Sequence, residues 1–170
     1  MNYKRLFVPN SLIFITVVTK NRKQILVDNI EHLKMAFRST KQKYMFDIIA
    51  IIINKDHFHM IIKPEDINLY PKIIGNIKST FTKISGINHL TNNNRESNIW
   101  QRRYWEHTII TEEDLYRHID YIHYNSVKHY GIAPKDWQFS SFYKFVKNGV
   151  YEKDWCNFED KHNIKNLNLE

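Results

Sequence analysis

The sequence predicts an α+β fold in which one antiparallel sheet of four strands packs against helices. Four short runs are rich in β-branched and aromatic residues, as strands are, and other segments repeat apolar residues at helical spacing. The order along the chain is strand, helix, strand, strand, helix, strand, followed by an added C-terminal helix that carries tyrosines. This order is typical of a ferredoxin-like or RRM-like sheet, which has helices on one face and leaves the other face open.

The first strand and the first helix occupy the N-terminal quarter of the chain. Leu12–Thr19 (LIFITVVT) is apolar and β-branched, which indicates a buried strand. After a basic turn, apolar residues recur near helical spacing from Asp28 onward, and Asp28 is available as a helix cap. We therefore expect a helix of about four turns that ends near Lys43.

An antiparallel hairpin follows. Phe46–Ile53 is a nearly continuous apolar run of the kind found in central strands, and His57–Ile62 is a second run of this kind. Asn54, Lys55 and Asp56 lie between the two runs and are turn-forming residues.

The second helix and the fourth strand complete the sheet. Tyr70–Ile84 begins beside a proline, repeats isoleucines at helical spacing and is followed by Gly86, which ends it. Asn88–Asn98 is polar and rich in asparagine, which indicates an exposed loop. Ile99–Ile110 returns to strand-forming aromatic residues and is predicted to be the fourth strand.

The added helix is predicted from Glu112 to about Tyr130. Thr111 can cap its start, with Asp114 three residues later, and Gly131 can close its end. At about 100° per residue, Leu115, Ile119, Ile122 and Ser126 share one stripe, which we expect to be buried. On the same helical count Tyr121, Asn125 and Lys128 lie together on a flank, whereas Tyr116 and Tyr124 point elsewhere.

The size and charge of the chain indicate how many domains it forms and what kind of partner it binds. The chain has 170 residues, of which 42% are hydrophobic, so it can form one domain with a sizeable core. We expect a single domain over residues 1–158 and a polar C-terminal tail over residues 159–170. The net charge of +7 and the isoelectric point near 9.4 favour a polyanionic partner, and nucleic acid is the first candidate.

Cysteine content and hydropathy indicate the cellular environment. Cys156 is the only cysteine, which excludes an intrachain disulfide and a cysteine-based structural zinc site. No stretch approaches the roughly 18 apolar residues of a membrane span, and residues 1–9 lack the features of a signal peptide. We therefore expect a protein of the bacterial cytoplasm that has no membrane partner and acts on nucleoid DNA.

Two histidines and one tyrosine form the most informative pattern. Residues two apart on a strand share a face, so His57 and His59 point to one side while Phe58 points to the other. Two imidazoles on one face can hold one divalent ion. Because Asn125 lies about 40° from Tyr121 around its helix, a nucleophile and a third metal ligand can face the same site. Nitrogen and oxygen ligands of this kind suit Mg²⁺ or Mn²⁺, with no organic cofactor.

The chain resembles the REP-associated tyrosine transposases, within the single-strand HUH transposases that pair a His-hydrophobic-His motif with one catalytic tyrosine. The resemblance implies one HUH domain over residues 1–158 and covers most of Leu12–Trp155. The matching segments are DHFHMIIKP at residues 56–64, IWQRRYWEHTI at 99–109, DYIHYNSVKHYG at 120–131 and DWQFSSFYKFV at 136–146.

The resemblance implies a role for each site residue. His57, His59 and Asn125 would be the metal ligands, and Tyr121 would be the nucleophile. The reaction implied is cleavage and rejoining of single-stranded DNA at repetitive palindromic hairpins, through a 5′-phosphotyrosine and a free 3′-hydroxyl. The sequence departs from the family pattern at two places: Asn54, Lys55 and Asp56 replace a segment containing Pro and Asn, and Ser126 replaces a proline.

Further residues are candidates for DNA contacts and for accepting the proton of Tyr121. Cations and stacking surfaces suited to single-stranded DNA are supplied by Arg102, Arg103, Tyr104, Trp105 and Lys128. The opposing interpretation is that the aromatic residues belong to the core and the cations to a solvated face. Three histidines could accept the proton of Tyr121, and the sequence does not rank them: His107, His118 and His123.

Two other functions use the same residues. A non-catalytic nucleic-acid-binding module would keep the fold without cleavage. A hydrolytic metal-dependent nuclease would use water as the nucleophile, and Tyr121 would only position the strand. The sequence leaves both alternatives open, and it is compatible with a monomer or a homodimer.

Overall fold

The computed structural model describes residues 7–87 and 98–156, which contain four strands and four α-helices. The predicted loop at Asn88–Asn98, apart from Asn98, and the predicted tail at 159–170 lie outside the described residues. The strands are β1 (Leu12–Val18), β2 (Phe46–Ile53), β3 (His57–Pro64) and β4 (Trp105–Ile109). The helices are α1 (Ile30–Lys43), α2 (Tyr70–Ile84), α3 (Glu112–Tyr130) and α4 (Phe142–Lys147).

The four strands form one antiparallel sheet in the order β2-β3-β1-β4. This is the strand order of a ferredoxin-like sheet, so the predicted fold class is confirmed. The central strand β3 pairs with β2 on one side and β1 on the other, and His59 lies opposite Ile52 and Thr16. Thr16 in turn lies opposite Trp105 on β4. A single row of residues therefore crosses the sheet through His59.

Helices cover both faces of this sheet. On one face, α1 and α2 pack over a core that includes Phe58, Met60 and Ile62. On the other face, α3 and α4 contribute Ile122 and Phe142 to a second core. The face expected to be open is therefore covered by the added helix, because α3 has an apolar stripe that must be buried.

The boundaries of α3 follow the predicted signals. The Thr111 hydroxyl accepts the backbone N–H of Asp114 at 3.1 Å, and Gly131 adopts the left-handed conformation at φ 65°. Ile119, Ile122 and Ser126 are buried, as the helical count predicts.

Two predicted boundaries are wrong. The fourth strand begins at Trp105 and not at Ile99, because Trp100 turns into the helix-side core and donates its indole N–H to the Lys78 carbonyl at 3.1 Å. Trp100 forms an isolated antiparallel β-bridge with Thr19, and continuous pairing with β1 begins at Trp105. The first helix begins at Ile30, and it has Asn29, not Asp28, at the cap position.

The helices within residues 7–87 and 98–156 are short or amphipathic. None of them has the length and apolar character needed to cross a membrane.

Candidate active site

The alternation of β3 places the two histidines together on the face covered by α3. The ring centroids of His57 and His59 are 4.8 Å apart, and both side chains are fully buried. Phe58 points into the opposite core, under α1 and α2. The predicted sharing of one face is therefore confirmed, and it follows from the two-residue period of a strand.

Neighbouring polar groups hold the Nδ1 atom of each imidazole. Nδ1 of His57 lies 2.6 Å from Oδ1 of Asp56, and Nδ1 of His59 lies 2.8 Å from Oγ1 of Thr16. When a protonated Nδ1 donates a hydrogen bond to these oxygens, Nε2 is the nitrogen with a lone pair for a metal. Histidine ligands in metalloproteins are commonly oriented in this way.

Asp56 is suited to remain a carboxylate. Burial acts to raise its pKa, but the hydrogen bond and charge of His57, together with Arg22, outweigh burial and hold the pKa below its ordinary value of 3.8. Arg22 Nη1 lies 3.4 Å from Oδ2 of Asp56. The carboxylate that orients His57 is thus itself held in place by a cation.

Tyr121 faces the histidine pair from α3. Its ring centroid lies 5.2 Å from that of His59, and the side chain is 4% exposed. Phe14 on β1 packs against both the His59 and the Tyr121 rings. Tyr116, by contrast, is 50% exposed on the same helix. Of Tyr116 and Tyr121, only Tyr121 faces the histidines.

The ammonium group of Lys128 contacts this tyrosine. Lys128 Nζ lies 3.2 Å from the hydroxyl oxygen of Tyr121 and 5.2 Å from the centroid of its ring. The two residues are two helical turns apart, so they share one face of α3. The sequence predicts a DNA contact for Lys128, and its position indicates a second role at the nucleophile.

Asn125 and His57 converge on a residue that the sequence did not single out. Asn54 Nδ2 lies 2.5 Å from Oδ1 of Asn125 and 3.0 Å from Nε2 of His57. Two predicted metal-ligand atoms thus point at one spot, which the Asn54 amide fills. The sequence predicts a turn at Asn54, and nothing in its local sequence indicates that the tertiary fold buries it completely.

The residues present fit a divalent metal. The Oδ1 atom of Asn54 and the Nδ2 atom of Asn125 are buried without a hydrogen-bond partner within residues 7–87 and 98–156. A buried polar atom left in this way costs roughly 1–3 kcal/mol. A cation could satisfy the oxygen of Asn54, whereas the N–H group of Asn125 needs an acceptor such as a phosphate oxygen. Two imidazole nitrogens and a carboxamide oxygen form a donor set that Mg²⁺ or Mn²⁺ can use.

His129 is a further neighbour of the site. Its ring centroid lies 4.8 Å from that of His57, near the end of α3. It is one turn after Asn125 on the same helix, and this helical spacing is the signal that could have identified it.

The three candidate proton acceptors have different surroundings. His123 is buried between α3 and the C-terminal segment, where Nε2 lies 2.9 Å from the Ser141 hydroxyl and Nδ1 lies 3.4 Å from that of Tyr151. Burial lowers the pKa of His123 to about 3. These contacts join His123 to the C-terminal segment of the chain. His107 and His118 both contact Asp114, and these three residues form a His/Asp/His group able to hold a metal ion.

The residues predicted to contact DNA lie on both sides of the sheet. Arg102 and Arg103 are exposed in the segment before β4. Trp105 is half-buried and packs edge-on against Phe14 on the face of the histidines, whereas Tyr104 packs against the core under α1 and α2. The geometry brings Trp105 and Lys128 toward the site and leaves Tyr104 on the opposite face.

Comparison with known proteins agrees with this geometry. Residues 8–125 match the family described as "Transposase IS200 like". A Haemophilus influenzae protein assigned to the REP-associated tyrosine transposases is 41% identical over 162 residues, covering 91% of this chain and 92% of the relative. The REP-associated tyrosine transposase of Escherichia coli is 34% identical over 157 residues, covering 91% of this chain and 90% of the relative.

A solved structure supports the same assignment. A REP-associated tyrosine transposase bound to a REP hairpin superposes with a TM-score of 0.81 at 32% identity, and the match covers 92% of each chain. The extent of these matches, together with a histidine pair that faces a buried tyrosine, shows that this chain belongs to the REP-associated tyrosine transposases, within the IS200-like transposase family.

Proposed function

We propose that this protein cleaves and rejoins single-stranded DNA at hairpins of repetitive palindromic sequence, through a 5′-phosphotyrosine on Tyr121. The observation that carries the proposal is the position of Tyr121, whose ring lies 5.2 Å from His59 on the face that also carries His57. The hairpin substrate is supported by the solved relative, which is bound to a REP hairpin.

The reaction is a transesterification that needs no external energy source. The Tyr121 oxygen loses its proton and attacks the scissile phosphorus, and the bond from phosphorus to the 3′ oxygen breaks. The 3′ oxygen takes up a proton and leaves as a free hydroxyl, while the 5′ phosphate stays on Tyr121. Rejoining is the reverse reaction, in which a DNA 3′-hydroxyl attacks the phosphotyrosine and releases Tyr121.

His57, His59 and Asn125 would hold Mg²⁺ or Mn²⁺. When bound, such an ion withdraws charge from the scissile phosphate and orients it. Asp56 and Thr16 contribute by orienting the two imidazoles through their Nδ1 atoms. The Asn54 amide lies against His57 Nε2 and Asn125 Oδ1. Because an imidazole nitrogen has a single lone pair, this amide would have to release Nε2 for an ion to bind there.

Lys128 acts directly on the nucleophile. A phenol with an ordinary pKa of about 10 is a weak nucleophile at neutral pH. An ammonium 3.2 Å from the phenol oxygen stabilises the negative charge that develops as the proton leaves. Lys128 is also exposed, so it is accessible to a phosphate of the bound strand.

DNA would follow the end of the sheet that carries His59 and the start of β4. Trp105 lies in the same cross-sheet row as His59, through Thr16, and offers an aromatic surface for a base. Arg102 and Arg103 precede it and are exposed, as phosphate-binding side chains must be. Tyr104 lies on the opposite face of the sheet, so it would contact only the edge of the bound DNA.

One chain supplies every residue of the proposed site. His57, Asn125 and Tyr121 converge within one chain. A monomer can therefore form the proposed site, and a homodimer remains compatible with it. The DNA substrate places the protein in the bacterial cytoplasm.

The test is covalent capture of the DNA. The protein is incubated with Mn²⁺ and a labelled single-stranded hairpin taken from the DNA flanking its own gene, and the products are resolved on denaturing gels. Wild type should form a protein–DNA adduct, and Tyr121→Phe and chelator should abolish it. Tyr116→Phe is the matched control, because Tyr116 lies on the same helix but is exposed. Cleavage without an adduct would indicate a hydrolytic nuclease, and binding alone would indicate a non-catalytic module.

A further inference from the structure

A second group of metal-compatible side chains lies where β4 meets α3. His107 is on the edge strand β4, and Asp114 and His118 are on the first two turns of α3. One ligand atom from each of the three residues lies within 4.8 Å of the others. None of the three belongs to the proposed DNA-cleavage site.

The Asp114 carboxylate bridges the two imidazoles. Its Oδ2 atom lies 2.6 Å from Nε2 of His107, and its Oδ1 atom lies 3.1 Å from Nδ1 of His118. Ligand atoms at about 2.0 Å from a tetrahedral Zn²⁺ are about 3.3 Å from one another. The spacings from Asp114 to each histidine lie close to this distance, and the ligand atoms of the two histidines are at most 4.8 Å apart.

Packing fixes both rings in position. The two imidazoles stack with their centroids 4.9 Å apart and an interplanar angle of 17°. His118 packs against Phe14, with its ring centroid 4.6 Å away, and His107 stacks on Trp105. Rings held by their neighbours lose little side-chain entropy when they bind an ion.

The group is open on one side. The side chain of His118 is 4% exposed, whereas those of Asp114 and His107 are 21% and 38% exposed. A buried ligand together with two half-exposed ones leaves room for water or another ligand to complete the coordination shell. Ions can reach such a site from solvent.

Hydrogen bonds alone offer a competing explanation. His107 and His118 can each donate a hydrogen bond to the Asp114 carboxylate, and His118 Nδ1 also lies 2.8 Å from the backbone carbonyl oxygen of Asp114. In that arrangement the ring nitrogens that face Asp114 carry protons where an ion would otherwise bind to them. The two explanations predict different metal binding by the same residues, so an experiment can separate them.

We propose that His107, Asp114 and His118 form a second metal site, which binds a divalent transition ion of the Zn²⁺ class. Two imidazoles and one carboxylate are a recurrent ligand set for Zn²⁺. The bound ion links the edge strand to α3 one turn before Tyr121. It therefore stabilises the docking of the helix that carries the nucleophile.

The test uses the full chain with the first site removed. In the His57→Ala/His59→Ala background, isothermal titration with Zn²⁺ should give one site, and adding Co²⁺ should give the absorption bands of a low-coordinate complex. Adding Asp114→Asn should weaken Zn²⁺ binding by at least about 100-fold. Adding Glu112→Gln is the matched control, since it removes one negative charge from the same turn and should leave Zn²⁺ affinity unchanged.

Thermal unfolding gives an independent readout. Zn²⁺ should raise the Tm of the background protein and of its Glu112→Gln derivative, but not that of the Asp114→Asn derivative. Circular dichroism without metal establishes that each variant is folded. Equal Zn²⁺ affinity in the Asp114→Asn and Glu112→Gln derivatives, or no binding in the background, would overturn the proposal. Neither outcome depends on DNA cleavage, so this site and the Tyr121 mechanism succeed or fail separately.

Discussion

Lys128 Nζ donates a hydrogen bond of 3.2 Å to the hydroxyl oxygen of Tyr121, two turns earlier on the same helix. The tyrosine is buried and the lysine is exposed, so the ammonium connects a sequestered hydroxyl with the solvent where DNA would lie. A residue expected to contact only phosphates is thus placed to act on the nucleophile itself.

Replacement of this lysine should slow covalent attack. Lys128→Met removes a charged hydrogen bond worth about 1.5–3 kcal/mol, so adduct formation at saturating hairpin should slow by roughly 10–100-fold. Single-turnover gels measure the rate, and a separate titration measures hairpin affinity. Lys147→Met removes an exposed charge from α4 and should leave the rate near wild type. If Lys128→Met loses hairpin affinity but forms the adduct at a normal rate at saturation, the proposed role of Lys128 at the nucleophile is contradicted.

Asp56 should control metal affinity through His57. Asp56→Asn removes the carboxylate that lies 2.6 Å from His57 Nδ1 and weakens the orientation of the ring. We expect Mn²⁺ affinity to fall by about 10–100-fold, as measured by electron paramagnetic resonance titration of free Mn²⁺. Asp47→Asn, on the exposed side of β2, is the control and should bind Mn²⁺ like wild type. Equal losses in both variants would point to a general charge effect.

Two glycines should respond to alanine in opposite directions. Gly131 closes α3 at φ 65°, where a Cβ is strained, so Gly131→Ala should lower the free energy of unfolding by about 1–2 kcal/mol. Gly75 lies within α2 with open space around its Cα, so Gly75→Ala should raise that free energy by up to about 1 kcal/mol. Urea unfolding of both variants measures these changes in the free energy of unfolding. A Gly75→Ala protein less stable than wild type would contradict the prediction for Gly75.

Lys78 should titrate well below an ordinary lysine. Burial lowers its pKa to about 8, while its ammonium donates to the Gln101 carbonyl at 2.8 Å. Between this value and the ordinary 10.5, the unfolded chain binds more protons than the folded chain, so this group increases stability as pH rises. The stability of wild type relative to Lys78→Met should therefore increase from pH 7 to pH 10.

Heteronuclear NMR of the lysine side chains measures the Lys78 pKa directly. Lys72→Met supplies the matched comparison, because Lys72 is exposed on the same helix. The change with pH in the Lys78→Met comparison should exceed that in the Lys72→Met comparison. A Lys78 that titrates near 10.5 would contradict the prediction.

Local sequence patterns predicted most of the secondary structure. The two-residue period of β3 correctly put His57 and His59 on one face, and the 3.6-residue period of α3 put Tyr121 on the flank that meets them. Both periods are properties of the backbone, so they require no knowledge of the rest of the fold. The predicted start of the fourth strand was wrong because Trp100 forms only an isolated β-bridge with Thr19 and packs into the core, while continuous pairing begins at Trp105.

The sequence by itself determined the fold class, the shared face of the histidines and the orientation of Tyr121, because these depend on residue spacing within single elements. Only the tertiary structure decided which residues from different elements meet. Asn54 reaches Asn125 across 71 positions, and Thr16 reaches His59 across 43. The contact of His107 with Asp114 likewise depends on how α3 docks on β4. Contacts of this kind follow from packing between elements, which no local pattern encodes.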